Sequence, residues 1–365
     1  MSMQKLVPFI RTSLGDNLWL KLNDYYNDKK IVITGGASFI GSNLVDLLLE
    51  FGSQVRVLDD LSSGTISNLN GHKNLEFIEC DLRFRDAALK HLAGAEIVFH
   101  LAAIHGGRGF IETYKQEMLA NLAIDNNVFS AGVKHKVKMM VHASSACAYP
   151  ITLQENEKNR NLLEEYQASM DSPDSSFADG VYGWTKLIGE YQLQNHVSLD
   201  GMKGRSARIF TAYGERENES HAAIALIAKA LLRAEPYPIW GNGEQTRNFT
   251  HVSDTALGLL FLGSDNSNSP FDVFNIGTSD HVKVIDFVQE IFNQISWTPT
   301  EINFQLGKPT GVASRASNNN KIREAFGWEP SISIDIGIQR TISWYESLPS
   351  RPKTIAELEE RLSVR

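Results

Sequence analysis

Cysteine is nearly absent: the 365 residues include two, Cys80 and Cys147. That excludes a disulfide framework and fits a chain kept in a reducing compartment, the cytoplasm. Basic charge is also in short supply, since 35 Lys and Arg against 43 Asp and Glu leave a formal net charge of -8. A basic field able to wrap nucleic acid is therefore excluded, and an anionic ligand must be held by a few local groups. Long apolar runs are missing as well. No stretch approaches the roughly 18 residues that a membrane span needs, and Met1 to Leu20 lacks the apolar core of a signal peptide. There is no internal repeat, and no metal site is expected.

What the chain does have is length enough for one large domain or two interleaved ones. Residues 1–28 precede the first strong strand and read as an extension or short helical arm. From Lys30 a regular alternation begins. Ile31-Val32-Ile33 is a short buried strand, 40–51 a helix and 55–58 a second strand; 97–99 and 139–141 continue the series, with helical patterns at 112–132 and 182–196. Such alternation predicts an α/β fold, a Rossmann-type doubly wound parallel sheet covered on both faces. Past Arg208-Ile209-Phe210 the pattern loosens, with a helix near 221–233 and loops rich in Gly, Pro and Asn. The expected division is an extension at 1–28, a nucleotide-binding domain at 29–207, a smaller C-terminal substrate lobe at 208–348 interleaved with it, and a tail at 349–365.

Between the first strand and first helix lies Thr34-Gly35-Gly36-Ala37-Ser38-Phe39-Ile40-Gly41. Helix N-terminal amides there can cradle a pyrophosphate, and glycine lets the backbone approach it. Ser38 stands where a G-x-G-x-x-G pattern has its middle glycine; a positive φ at that position would strain it by about 1–2 kcal/mol. Asp59 ends the second strand about twenty residues on, where a carboxylate takes the ribose hydroxyls and repels a 2'-phosphate, so NAD is favoured over NADP. Asp81-Leu82 and His100-Leu101-Ala102-Ala103 supply further loops at the carboxyl edge of the sheet; His100 itself reads as a packed histidine.

Tyr182 and Lys186 are four apart, on one face of a helix. A phenol of reference pKa about 10 becomes a base near neutrality only when its phenolate is stabilised, and an ammonium can do that. Pairs with this spacing occur on many ordinary helices, so the surrounding series matters more than the pair.

That series resembles the extended short-chain dehydrogenase/reductases, in the branch that modifies nucleotide sugars. The resemblance rests on Thr34 to Gly41, Asp59-Asp60, Asp81-Leu82, His100 to Ala103, Ser144-Ser145, Tyr182-x-x-x-Lys186, Arg208-x-Phe-x-x-Tyr-Gly214 and Gly241-x-Gly-x-Gln-Thr-Arg247-x-Phe, in family order across residues 30–345. Within the branch, four runs look like the GDP-mannose 3,5-epimerases: His105 to Ile111, Ser144 to Pro150, Trp240 to Arg247, and Arg315 to Asn320 before Gly327-Trp328. His221 stands where that family carries a lysine. A histidine there, with Cys147 two residues after Ser145, is similar to the GDP-L-fucose synthases.

The resemblance implies NAD as cofactor, held by Gly35, Gly36, Ser38, Phe39, Ile40, Gly41, Asp59, Asp81, Leu82, Leu101, Ala102, Ala103, Tyr182 and Lys186. It implies that Tyr182, Lys186 and Ser145 oxidise a sugar hydroxyl to a 4-ketone. A ketone acidifies the C–H bonds beside it, and Cys147 and His221, with reference pKa values of about 8.5 and about 6.5, are the candidate acid and base. Gly106, Gly107, Ser145, Thr211, Lys229, Gln245, Arg247 and Arg315 are the implied substrate contacts, although Thr211 replaces the usual asparagine. A homodimer through the helices at 112–132 and 182–196 is also implied, while the apolar stripes there suit the chain's own core equally well.

Alternatives stay open at this point: a UDP-sugar 4-epimerase, a fucose-synthase-like epimerase-reductase, or a non-enzymatic NAD-binding protein. The polar, acidic stretch from Ile151 to Gly180 reads as a lid or a surface loop.

Overall fold

A computed structural model describes residues 3–156, 158, 160–170, 178–264 and 267–363. The alternation read above becomes seven strands: β1 (Lys30–Thr34), β2 (Gln54–Asp59), β3 (Leu75–Glu79), β4 (Ile97–His100), β5 (Met139–Ser145), β6 (Lys203–Ile209) and β7 (Phe271–Ile276). They form one sheet in the order β7-β6-β5-β4-β1-β2-β3, with every neighbouring pair parallel. The strand order reverses between β1 and β4, which opens the crevice where such sheets bind ligands.

Side chains alternate across each strand, so the sheet has two apolar faces. Ile31, Ile33, Val55, Val57, Ile97 and Phe99 pack with the helices Phe39–Glu50 and Val252–Gly263. Val32, Leu58, Val98 and Met140 pack on the other side with Arg85–His91, Asn121–Lys134 and Gly180–Asp200. The sheet is thus covered on both faces, as the continuous apolar strands required.

The N-terminal residues form helices Met3–Leu14 and Asp16–Tyr26, and Trp19, Leu22 and Tyr26 of the second are buried in the first of these clusters. Tyr26 Oη donates to the Leu260 carbonyl at 2.5 Å. A separate apolar cluster gathers Tyr213, Ile227, Tyr237, Phe249, Phe287, Ile291 and Ile338. Because Val252–Gly263 and β7 return to the first sheet from within this later part of the chain, the two regions are interleaved.

The helical stretch expected at 112–132 is three pieces, Arg108–Thr113, Lys115–Met118 and Asn121–Lys134. The described parts of the 151–180 stretch are anchored: Leu163 bridges to Ser317, and Gln154 accepts the N–H groups of Ala313 and Ser314 on its carbonyl. Residues 157, 159 and 171–177 of that stretch, like 1–2 and 364–365 at the ends, lie outside the described residues.

Candidate active site

The turn after β1 is built by contact. Gly35 has φ of +69°, and a Cβ on it would meet the Ala102 backbone at 2.8 Å, while a Cβ on Gly41 would lie 2.2 Å from the Gly35 carbonyl oxygen. These glycines let the helix Phe39–Glu50 start directly against the strand end. Ser38 has φ of -90°, so the anticipated strain is absent. Its hydroxyl folds back to donate to the Gly35 carbonyl at 2.7 Å. The first amides of the helix are then left to a ligand, as at any helix start.

Asp59 closes the other wall. Its carboxylate accepts the N–H of Ala37 and of Leu61, each at 2.9 Å. Burial pushes its carboxyl up, and these backbone bonds pull it back. Leu101 and Ala102 give their N–H groups to Thr34 Oγ1 at 3.2 and 3.1 Å. Leu82 is buried, and Asp81 takes Arg83 on both oxygens, which holds its carboxyl below the ordinary value. Glycine turn, helix start and strand-end acid suit a dinucleotide. Phe39, Ile40 and Ala103 line the same turn and the β4 loop, partly exposed.

Tyr182 and Lys186 share a face of Gly180–Asp200, as the spacing required. Gly183 explains how that helix reaches the site: a Cβ there would be 2.1 Å from the Cys147 carbonyl oxygen. Its absence lets Tyr182 lie beside the end of β5. Burial pushes the phenol upward, Cys147 and Asp125 add to that, and a hydrogen bond with Ser145 pulls it down. Lys186 is buried, with Nζ donating to the Ala143 carbonyl at 2.8 Å and standing 5.8 Å from the Tyr182 ring centre. Burial lowers its pKa, and the charges of Asp125 and Glu190 oppose that. Ser145 Oγ accepts the Cys147 N–H at 3.1 Å, which holds the Cys147 backbone beside the serine.

Around Cys147 the fold gathers charge: the expected Arg247 and Arg315, and with them Arg108 and Asp179, which the sequence did not announce. Arg315 donates to Cys147 Sγ at 3.5 Å, to Gln154 Oε1 at 2.5 Å and to Asp179 Oδ2 at 3.0 Å. Arg108 reaches the same Asp179 at 2.9 Å. Arg247 donates to the carbonyls of Thr246 and Thr310, each at 2.7 Å. Burial, with Arg315 nearby, pulls Arg247 down to about 9. A guanidinium so discouraged from carrying its charge is suited to an incoming anion.

His221 caps the helix Ala222–Leu231, with Nδ1 3.2 Å from Glu217 Oε1. Its ring lies 5.7 Å from that of His105, which is 6.5 Å from the ring of Tyr182. The glycines of the 105–111 loop serve contacts within the protein: a Cβ on Gly107 would strike the Ser220 carbonyl oxygen at 2.1 Å, and one on Gly106 the Phe110 ring.

The remaining expected contacts stand further out. Lys229 is buried on Ala222–Leu231, and desolvation lowers it to about 8. Gln245 donates to the Trp240 carbonyl at 3.0 Å and leaves its Oε1 without a partner among the described groups. Thr211 follows β6 and accepts the Thr250 N–H on its carbonyl. Sequence reasoning gave no role to the side chains of Arg108, Gln154, Asp179, His105 or Glu217. The available signal was for His105 and Arg108, which lie inside the glycine-rich run His105 to Ile111.

The profile of the NAD dependent epimerase/dehydratase family matches residues 31–277. The chain belongs to that family. It is an NAD-dependent enzyme of the nucleotide-sugar epimerase branch of the extended short-chain dehydrogenase/reductases. It is 29% identical over 354 residues to GDP-mannose 3,5-epimerase 1 of Oryza sativa subsp. japonica, covering 94% of this chain and 89% of that one. It is 30% identical over 323 residues to a putative UDP-glucose 4-epimerase of Methanocaldococcus jannaschii, covering 87% and 98%. Among solved structures, an epimerase of Methanothermobacter thermautotrophicus superposes with a TM-score of 0.80 at 25% identity, covering 90% of this chain and 95% of that one. The UDP-glucuronic acid 4-epimerase of Bacillus cereus, solved with UDP-glucuronic acid and NAD, does so at 0.75 and 25%, covering 86% and 98%.

Proposed function

We propose that this enzyme inverts C3, C5 or both carbons of a GDP-hexose through a transient 4-keto sugar. The observation that carries the reading is the company of Tyr182: Ser145 and Cys147 beside it at the end of β5, and His221 reached through the His105 ring. Four-epimerisation alone requires neither a thiol nor an imidazole there.

In this reading Tyr182 takes the proton from the C4 hydroxyl, and Ser145 holds the same oxygen. Bound NAD supplies hydride acceptance and return at C4. Lys186 steadies the phenolate and the nicotinamide ribose, while Asp59 takes the adenosine ribose and the amides of the Gly35 to Gly41 turn take the pyrophosphate. With the ketone in place, a C–H bond at C3 or C5 is weakened because its electron pair delocalises onto the C4 oxygen. One of Cys147 and His221 removes that proton and the other delivers a proton to the opposite face. Arg247 and Arg315 hold the substrate diphosphate and nucleoside, with Lys229 and Gln245 nearby, and Gly106, Gly107 and Thr211 border the sugar.

The protein works as a homodimer in the cytoplasm. Leu119 and Tyr191 are 52% and 47% exposed on the outer side of the two helical stretches, whereas Val128, Phe129, Leu193 and Val197 point into the chain's own core. Light scattering at micromolar concentration gives the dimer mass if this is right, and Tyr191→Glu gives the monomer.

Incubation with GDP- and UDP-hexoses in heavy water tests the chemistry. Deuterium at C3 or C5 of a recovered GDP-hexose supports it. A second reading, a UDP-sugar 4-epimerase, is favoured by the UDP-sugar complexes among the similar structures. It expects inversion at C4 with no deuterium at C3 or C5.

A further inference from the structure

Glu217 plays no part in the steps above, yet it is a carboxylate only 5% exposed at the edge of the site. It sits in the turn between the short strand Ala212–Tyr213 and the helix Ala222–Leu231, with its N–H directed to the Gly214 carbonyl at 3.4 Å. Oε1 lies 3.2 Å from His221 Nδ1, and Oε2 has no partner among the described groups. Burying a carboxylate is costly unless it is paired, and among the described residues the imidazole is the charged group that pairs it, beside the Gly214 backbone. Burial pushes Glu217 above the ordinary carboxylate value, and the contact with His221 pulls it back.

The ring is held on a second side. It lies 26° from parallel with His105, whose loop presses on Ser220 through the space that Gly107 leaves. The His221 side chain keeps 20% exposure, so a ligand can reach it while Nδ1 lies 3.2 Å from Glu217 Oε1. Which nitrogen of a histidine is free to act is set by the bond that the other one makes.

We propose that Glu217 is the positioning residue for proton transfer by His221: it accepts the Nδ1–H, fixes the tautomer that leaves Nε2 free, and faces the imidazolium with negative charge. The inference rests on the reading that His221 moves protons at C3 or C5. In the step, the C–H bond breaks, its proton goes to Nε2, and the electron pair is held as the enolate of the 4-ketone. The Nδ1–H stays between ring and carboxylate, and no co-reactant is consumed.

Two measurements test it. Nitrogen-15 NMR of histidine-labelled enzyme, with the His221 signals assigned by their loss in His221→Asn, should show neutral His221 protonated on Nδ1. An Nε2–H tautomer overturns the proposal. In heavy water, Glu217→Gln should slow deuterium entry about 10- to 100-fold, the usual loss when a ligand's outer partner is removed, while reduced-nicotinamide absorbance forms within twofold of the parent. Entry within twofold of the parent in Glu217→Gln, with none in His221→Asn, overturns the role of Glu217 alone. Parental entry in His221→Asn overturns the reading beneath it.

Discussion

Replacing Gly41 by alanine should empty the dinucleotide site while leaving the fold intact. The new methyl carbon would stand 2.2 Å from the Gly35 carbonyl oxygen and 2.8 Å from Gly36 Cα, against an ordinary contact of 3.4 Å or more. Both neighbours are backbone, so no rotamer change relieves the clash. The helix Phe39–Glu50 must retreat from the turn by about 1 Å, a displacement that lengthens an N–H···O bond past its useful range. A hydrogen bond to a charged group is worth about 1.5–3 kcal/mol, so losing one weakens NAD about 10- to 150-fold. Titration of NAD into cofactor-stripped enzyme measures this directly. Gly94→Ala is the control, since nothing lies within 4 Å of its Cβ although its φ is +82°. It should lower stability by about 1–2 kcal/mol and leave NAD affinity unchanged. If Gly41→Ala binds NAD within threefold of the parent, the turn is not the cradle argued here.

Three further outcomes are expected. Glu190 pairs with Arg208 at 2.7 Å and accepts Ser144 Oγ–H at 2.5 Å, all buried, so Glu190→Leu leaves a guanidinium uncompensated and should cost about 3–5 kcal/mol in urea unfolding; a loss below 1 kcal/mol would contradict this. Asp254 is pushed up to about 6 by burial, above its unfolded value of about 3.9, so the fold favours its protonated form and stability falls as pH rises through that window. Asp254→Asn should remove about 2–3 kcal/mol of that fall between pH 4 and pH 7, and an unchanged pH profile would refute the assignment. Burial pulls Lys229 down to about 8, so substrate affinity should drop as pH rises past 8 and its charge is lost; in Lys229→Met that limb should vanish, and its persistence would remove Lys229 from the site.

The sheet was legible because its strands are short, apolar and buried on both faces, so their order along the chain dictates a parallel arrangement. The Gly35 to Gly41 turn and Asp59 were legible because their spacing follows from strand and helix geometry. What escaped was which side chains pair across distant segments. Asp179 joins Arg108 to Arg315, residues far apart in sequence, and nothing local to any of them signals the contact. Ser38 was readable as a small residue, while its negative φ depended on the path of the turn. His100 is a packed histidine as read, yet its partners, Thr34 Oγ1 at 2.7 Å and Asp125 Oδ1 at 3.0 Å, come from other elements.

The central claim is that a thiol and an imidazole exchange protons with the carbons flanking a transient ketone. Mass and NMR analysis of GDP-hexose recovered from heavy water measures it most directly, in the parent, Cys147→Ser and His221→Asn. The account predicts deuterium at C3 or C5 with the parent and none with either variant, while reduced-nicotinamide absorbance still forms in both. Deuterium entering at the parental rate in both variants would contradict it.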